Sequence, residues 1–402
     1  MRKKFQKFQE KFIEGLLMLS GTITSLTVVL IIVFLFNEGL GVFNNKPIDE
    51  GYILAINKSN SVKKLSALQI KNIFDQKIKN WDKVGGPNEK IVLINIDDIS
   101  DYYTEIQLGK DFENLHFCIN DYINKHKGVI AFFSESSLPK KFLGKVINID
   151  NIKLSEFLLD EEWFPTATPV AQFGVKPLIL GTLWVSFGAV LFALPIGLFA
   201  AIFLSEIAHK RVRNILKPLI ELLAGIPSVV YGFFGLVIIV PLIQQVFDLP
   251  VGETGLAGSI ILGIMALPTI ITISEDAMRN TPRAMKEASL ALGASKWQTI
   301  YKVVIPYSAS GITAGAILGI GRAIGETMAV LMVTGNAAII PHTLLQPVRT
   351  IPATIAAELG EAGAGSVHYQ ALFALGCILF IITLVINLTV GFVTKGKNQK
   401  KH

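Results

Sequence analysis

Arg322 and Glu326 stand inside an apolar stretch, residues 307–333. A charge at that depth costs at least about 2.5–3.5 kcal/mol on insertion scales unless it faces protein or water. Being four apart, the two can pair along a helix. The spacing therefore predicts either a structural ion pair holding two helices together or a charged pair beside the path of an anionic solute. In the second case the arginine attracts the solute, the carboxylate holds the arginine in place, and Thr327 adjoins them. Gly311, Gly315 and Gly319 precede them. At 100° per residue all five positions fall within an arc of about 80°, and glycines at this spacing mark close helix packing in membranes.

A second cluster lies in 275–306. Thr281-Pro282 reads as an N-cap followed by proline at the first helical position, where its missing N–H is harmless. The helix Arg283–Leu292 stops at Gly293, the usual residue for a left-handed end. Ser295 then caps a second helix, Lys296–Val303, and Pro306 marks the entry to the next apolar stretch. A helix–glycine–helix of this kind makes a rigid knob suited to another protein's cleft; a merely solvated helical loop is the plainer reading.

These features need a membrane around them. The 402 residues are 51% hydrophobic and 17% charged, with a mean hydropathy of +0.51. Soluble domains carry about 25% charge, so a soluble enzyme is disfavoured. The charge is also uneven, because 19 of the 31 acidic residues fall in 37–172. Six stretches have the roughly 20 apolar residues that a span requires: 16–36, 176–204, 218–244, 255–274, 307–333 and 371–393. The first is too long for a signal-peptide core and lacks an Ala-x-Ala site, so it is expected to remain as an anchor. Basic residues cluster at the N-terminus (Arg2, Lys3, Lys4, Lys7, Lys11), after span two (Lys210, Arg211, Arg213, Lys217), after span four (Arg279, Arg283, Lys286, Lys296, Lys302) and in the tail (Lys395, Lys397, Lys400, Lys401). By the positive-inside rule both ends and these loops are cytoplasmic and 37–172 is outside. The net charge of +6 then belongs to a membrane surface in contact with lipid, and no nucleic-acid partner is expected.

The expected division is 1–36, a cytoplasmic N-terminus and anchor helix; 37–172, a small extracytoplasmic α/β domain; and 173–402, the remaining five spans. In the insert, Ser66–Phe74 reads as an amphipathic helix with Leu68 and Phe74 among its apolar positions. Ile91–Ile96 and Val129–Phe133 read as buried strands, and Gly85-Gly86-Pro87-Asn88 as a turn. Pro195, Pro227, Pro241 and Pro268 are expected to kink their helices, and Glu221 reads as an interfacial carboxylate. Cys118 and Cys377 are too few for a disulfide framework, no Cys/His cluster has metal-ligand spacing, and no cofactor is implied. His116, His126, His342 and His368 are scattered, and no paired carboxylates or nucleophile–His arrangement suggests catalysis. The Asn57-Lys58-Ser59 sequon matters only in a glycosylating secretory pathway. No G-x-x-x-x-G-K-[ST] phosphate loop is present, so energy is expected from another polypeptide.

Glu287-Ala288-Ser289-Leu290-Ala291-Leu292-Gly293, followed after nine residues by Val303-Val304-Ile305-Pro306, resembles the EAA loop of ABC-importer permeases. Ser289, Val303 and Ile305 depart from that pattern conservatively. The resemblance implies that Glu287, Ala288, Gly293 and Pro306 belong to a loop docking on an ATP-binding cassette subunit. Gly321-Arg322-Ala323-Ile324-Gly325-Glu326-Thr327-Met328-Ala329-Val330 and Val333-Thr334-Gly335-Asn336 resemble the PstC-type permease of phosphate importers. So do Glu275-Asp276-Ala277-Met278, Ala266-Leu267-Pro268-Thr269-Ile270 and Thr350-Ile351-Pro352-Ala353-Thr354-Ile355-Ala356. This implies an all-α six-helix MetI-like permease fold in a bacterial plasma membrane, with Arg322, Glu326 and Thr327 on the solute path. It also implies three kinds of partner: a second homologous permease (PstA-type), two ATP-binding cassette subunits and an extracytoplasmic phosphate-binding protein. Another oxyanion, sulfate or molybdate, is the nearest alternative, and a membrane solute sensor a more distant one.

The insert carries a second resemblance. Ile53–Asn60, then Leu65-x-x-x-Gln69-Ile70-x-x-Ile73-Phe74 and Lys77-Ile78-x-Asn80-Trp81-x-x-Val84-Gly85-Gly86, are similar to one lobe of the phosphate-binding protein. Where that family presents an Arg-x-x-Gly-Ser-Gly-Thr anion site, this chain has Asn95-Ile96-Asp97-Asp98-Ile99-Ser100-Asp101-Tyr102-Tyr103-Thr104. The arginine and both glycines are missing, and three aspartates repel phosphate. A degenerate lobe that docks, gates or merely hangs tethered is the expectation.

Overall fold

The computed structural model describes residues 2–49, 51–110, 112–139 and 141–399, excluding the side chains of 2–10, 95–98 and 390–399. The basic residues Arg2, Lys3, Lys4, Lys7, Lys395, Lys397, Lys400 and Lys401 therefore have no described side chains, nor do Asp97 and Asp98. The chain divides into two units, Leu40–Val175 and the remainder. It begins with α1 (Arg2–Gly41), whose apolar side chains from Phe12 to Phe34 are largely exposed.

The Leu40–Val175 unit is α/β. In chain order it comprises β1 (Tyr52–Ile56), β2 (Lys64–Leu65), α2 (Ala67–Phe74), β3 (Val92–Asn95), α3 (Glu105–Leu108), α4 (Leu115–Lys125), β4 (Val129–Ser134), β5 (Lys145–Val146), β6 (Asn148–Ile149), α5 (Leu154–Leu159), β7 (Trp163–Phe164) and β8 (Gln172–Phe173). The main sheet has the order β3-β4-β1-β5. β1 runs antiparallel to β4, with Leu54 opposite Phe132, and β3 runs parallel to β4. Side chains alternate across a strand, so the sheet feeds two cores. Leu54, Ile56 and Ile130 join Ile70, Ile73 and Trp81 on one side. Ala55, Val129, Ala131 and Phe133 meet Ile119, Tyr122 and Ile123 on the other. Ser66 caps α2 in a reciprocal box with Gln69. The sequence expectation for this helix needs one correction. Ile70 and Ile73 carry its burial, whereas Leu68 is exposed, because Leu68 lies on the opposite side of a helix only two turns long. Asn57 of the sequon is buried, and its amide donates to the carbonyl of Ile123 at 2.7 Å.

The other unit continues with α6 (Lys176–Ile202), α7 (Lys210–Ala224), α8 (Ser228–Phe234), α9 (Val240–Phe247), α10 (Gly255–Arg279), α11 (Arg283–Ala291), α12 (Lys296–Thr299), α13 (Ile305–Tyr307), α14 (Ala309–Gly325), α15 (Met328–Val333), α16 (Ile351–Glu358) and α17 (Val367–Gln399). Wide π-type turns extend α6 over Phe203–Ile207, join α8 to α9 and join α12 to α13. Among the described residues, five helices are long and apolar enough to cross a membrane; there are six if the pair Lys296–Tyr307 and Ala309–Gly325, bent by 70°, is one span. Gly39 and Gly376 bring α1 and α17 together, Gly39 against Ala374 and Gly376 against Leu35.

Two span boundaries differ from expectation. Span three begins at Ser228, not 218. Gly225-Ile226-Pro227 interrupts the chain, with Pro227 at ψ 142, so Lys210–Ala224 is a separate amphipathic helix. It turns Leu216 and Ile220 to the core and leaves Ile215, Leu219 and Leu222 exposed. Span five is interrupted as well. Its helix ends at Gly325, Glu326 is extended (ψ 135), and helix resumes at Met328.

Candidate translocation site and coupling surface

The glycine face of α14 rests on α10. A β-carbon on Gly311 would collide with Ala277; one on Gly315 would lie 3.2 Å from both Ile273 Cβ and Ser274 Oγ; one on Gly319 would lie 2.6 Å from Ile270 Cγ1. This contact delivers Arg322 to the last turn of α14, half-buried and within electrostatic reach of Tyr231 on α8. The Tyr231 hydroxyl itself donates to the Leu223 carbonyl at 2.8 Å.

The expected pairing of Arg322 with Glu326 along a helix is not found. Glu326 follows the last helical residue and leaves the helical path, so a four-residue spacing no longer stacks the two side chains. Among the described residues no carboxylate lies within 4.0 Å of Arg322 nitrogen. The interruption borders a wide-open cavity of about 670 Å³, lined by Gly325, Thr327, Ile355 and Leu359 among others, in which Thr327 is the one polar side chain among the lining residues. Of the three residues singled out from sequence, Thr327 lines this cavity, and its hydroxyl donates to the Gly325 carbonyl at 3.3 Å.

α16 forms another wall, and the groups that hold it were not selected from sequence. Arg349 Nη2 lies 2.7 Å from Glu358 Oε1, and His368 Nε2 lies 2.9 Å from Glu358 Oε2, all three side chains under one-fifth exposed. His368, read as merely scattered, thus ties the start of α17 to the end of α16. Thr350, at the N-cap of α16, accepts from the Ala353 N–H.

At the other end of the bundle, α11 and α12 form the helix–glycine–helix. Gly293 has φ +84; its N–H reaches Leu290 O at 2.9 Å and that of Ala294 reaches Ser289 O at 3.2 Å, the double closure of a Schellman stop. Ser295 and Gln298 form a capping box. The start of α11 differs from expectation: Pro282, with ψ 133, is the N-cap and Thr281 lies before it, buried and without a hydroxyl partner among the described residues. Proline's own extended ψ defers the helix by one residue. Glu287, Ala288, Leu290 and Leu292 are exposed, Leu292 at 89%. Pro306 lies within α13, just before the 70° bend at Ser308.

Glu275 on α10, 1% exposed, sits among three cations: Lys217 Nζ at 2.5 Å, Arg213 Nε at 3.2 Å and Arg279 Nη1 at 3.6 Å. Asp276 adds a second carboxylate 2.7 Å from Lys217. Burial alone would lower the Lys217 ammonium, but hydrogen bonds to Asp276 and Glu275 outweigh it and raise the pKa. The sequence signal was the acidic pair at the end of span four facing the basic run 210–217; what linked them is visible only once α7 folds back.

Several membrane-crossing helices, an interrupted span beside a cavity, and an exposed helix–glycine–helix at the bundle end define a multi-pass transport permease. The chain belongs to the family of binding-protein-dependent transport system inner membrane components, whose model matches residues 193–398. Among its relatives, the "Probable ABC transporter permease protein YqgH" of Bacillus subtilis is 39% identical over 246 residues, 61% of this chain and 79% of that one. The phosphate transport system permease protein PstC of Mesorhizobium japonicum is 40% identical over 249 residues, 57% of this chain and 75% of that one. Of solved structures, an inward-facing MetNI methionine ABC transporter aligns over 55% of this chain and 94% of its own (TM-score 0.43, 19% identity). An ABC-type phosphate transport receptor from Vibrio cholerae aligns over 28% and 52% (TM-score 0.20, 19% identity).

Proposed function

We propose that this chain is the permease subunit of an ATP-driven phosphate importer, forming the membrane pathway with a second, homologous permease. The observation that carries this reading is the interruption of span five. Irregular backbone at membrane depth persists only where it is buried in protein or lines a water-filled cavity, and here Thr327 borders a cavity one turn beyond a guanidinium with no carboxylate partner among the described residues. Such a group favours an anion, and the kinship with PstC selects phosphate among anions. Arg322 attracts the solute, Glu326 limits how tightly it is held, and Thr327 offers a hydroxyl along the route.

Energy comes from elsewhere, since the sequence lacks a phosphate loop. One of two ATP-binding cassette subunits docks on the exposed face of α11, around Glu287, Ala288 and Leu292, and Gly293 and Pro306 fix the shape of that surface. The basic clusters support a cytoplasmic side for this face and both termini, with the 37–172 insert outside. There the lobe meets an extracytoplasmic phosphate-binding protein without gripping phosphate itself.

Uptake of labelled phosphate into vesicles containing the assembled transporter tests this reading. Unlabelled phosphate should abolish the signal, and a hundredfold excess of sulfate or molybdate should leave it intact. Competition by either of those anions would reassign the cargo.

A further inference from the structure

The nine-residue α11 buries none of its side chains, and so short a helix does not persist in water unaided. Two polar ties fix it. Ser289 and Thr299 share a hydroxyl hydrogen bond at 3.0 Å, which joins α11 to α12. Lys286 Nζ donates to Glu206 Oε1 at 2.5 Å, with the two side chains 23% and 10% exposed. Glu206 belongs to the π-type turn that ends α6, so this ion pair joins the docking helix to span two.

The opposite end of α6 meets the cavity wall. The Ile351 N–H, first in α16, donates to Thr182 Oγ1 at 2.9 Å in a fully buried contact. Gly181 leaves room for the Arg349 carbonyl, which a β-carbon would strike. Beyond Ile351, Ile355 of α16 and Leu359 at its C-cap line the cavity. From Thr182 to Glu206 is roughly 36 Å at about 1.5 Å per residue. Along that length α6 is seated on α10, with Gly188 against Ser259 and Gly197 against Ile270. Ser259 also donates across to the Val185 carbonyl at 3.1 Å.

We propose that α6 is a transmission rod between the ATPase-facing helix and the α16 wall of the cavity, with Lys286–Glu206 and Thr182–Ile351 as its end joints. Displacing α11 pulls the carboxylate end of α6, and the far end shifts the N-terminus of α16 and with it Ile355 and Leu359. Lys286, Glu206 and Thr182 are positioning residues: they act through α6 and touch neither solute nor nucleotide. The inference rests on the permease reading above.

Its test uses the complete transporter in proteoliposomes, with the amount of assembled complex measured for each variant. Phosphate taken up per ATP hydrolysed should fall at least tenfold in Lys286→Glu and in Glu206→Lys, and the double exchange should return it to within threefold of the parent. A second readout is independent of the cargo. In a Leu359→Cys background, ATP should change the rate of labelling by a water-soluble maleimide, and Lys286→Glu or Thr182→Val should remove that change. Single variants that keep the parental ratio, a double exchange worse than either single, or ATP-dependent labelling that survives Lys286→Glu would each overturn the rod. A parent complex that carries another anion yet shows these labelling differences would fail only the phosphate assignment.

Discussion

Gly319 approaches Ile270 so closely that a β-carbon on it would lie 2.6 Å from Ile270 Cγ1. The α14–α10 seam thus depends on a missing side chain, and the seam sets where Arg322 emerges. Gly321, two residues on, has no atom within 4 Å of the place a β-carbon would occupy. Gly319→Leu should therefore destabilise the bundle by about 1–3 kcal/mol, the usual range for overpacking. Gly321→Ala should be close to neutral. Thermal unfolding of the purified protein in detergent separates the two.

Glu275 is a buried carboxylate with three cationic neighbours. Removing Glu275 leaves three partly exposed cations facing one another with Asp276 alone to offset them; solvent screening holds the cost to about 1–3 kcal/mol, below that of a fully buried pair. Glu275→Ala should lower stability by that order and loosen α7 from α10. Asp276→Ala should do far less, because that side chain is 54% exposed and solvent screens it. Limited proteolysis within 210–224, compared between the two variants, is the check.

How much of this was legible in the sequence follows the range of the interactions. Ser66 with Gln69, Ser295 with Gln298, and Gly293 are closures within six residues of chain, and composition alone points to them. The end of α14 at Gly325 is different. No proline marks it, and Gly325 is a weak local hint because Gly311, Gly315, Gly319 and Gly321 all stay helical in the same segment, so the break depends on what the neighbouring helices and cavity permit. The Lys217–Glu275 contact spans 58 residues and Thr182–Ile351 spans 169; neither has a local signature. The start of span three was readable, since Gly225-Ile226-Pro227 is a strong interruption, but the apolar residues of α7 blurred it into the span.

Gly293 holds a left-handed backbone at φ +84 with open space around it. A substitution there meets no clash but strains the stop between α11 and α12. Gly293→Val should leave the amount of complex in the membrane unchanged and cut uptake per ATP hydrolysed by about tenfold, corresponding to roughly 1.4 kcal/mol of lost coupling. Parallel phosphate-release and uptake assays measure it, and full uptake in this variant would count against the docking role.

In the Leu40–Val175 unit, burial and the nearby Glu156 carboxylate hold the Asp160 carboxyl above its ordinary range. A carboxyl raised on folding adds stability while both states are protonated, and that contribution disappears as pH rises through the folded value. At neutral pH ionised Asp160 therefore opposes folding. Asp160→Asn should raise the unfolding midpoint of the lobe at pH 7–8, with the advantage shrinking below pH 4. Chemical denaturation of the full-length protein at the two pH values, followed by fluorescence of Trp163, reads out the difference.

The proposed route takes an anion past Arg322 along the interrupted span. The most direct measurement is the initial rate of labelled phosphate uptake in cells whose only phosphate importer contains the Arg322→Leu/Glu326→Leu double variant, at matched membrane levels of the complex. A fall of at least a hundredfold is expected. Uptake at the parental rate would contradict it and move the route elsewhere in the bundle.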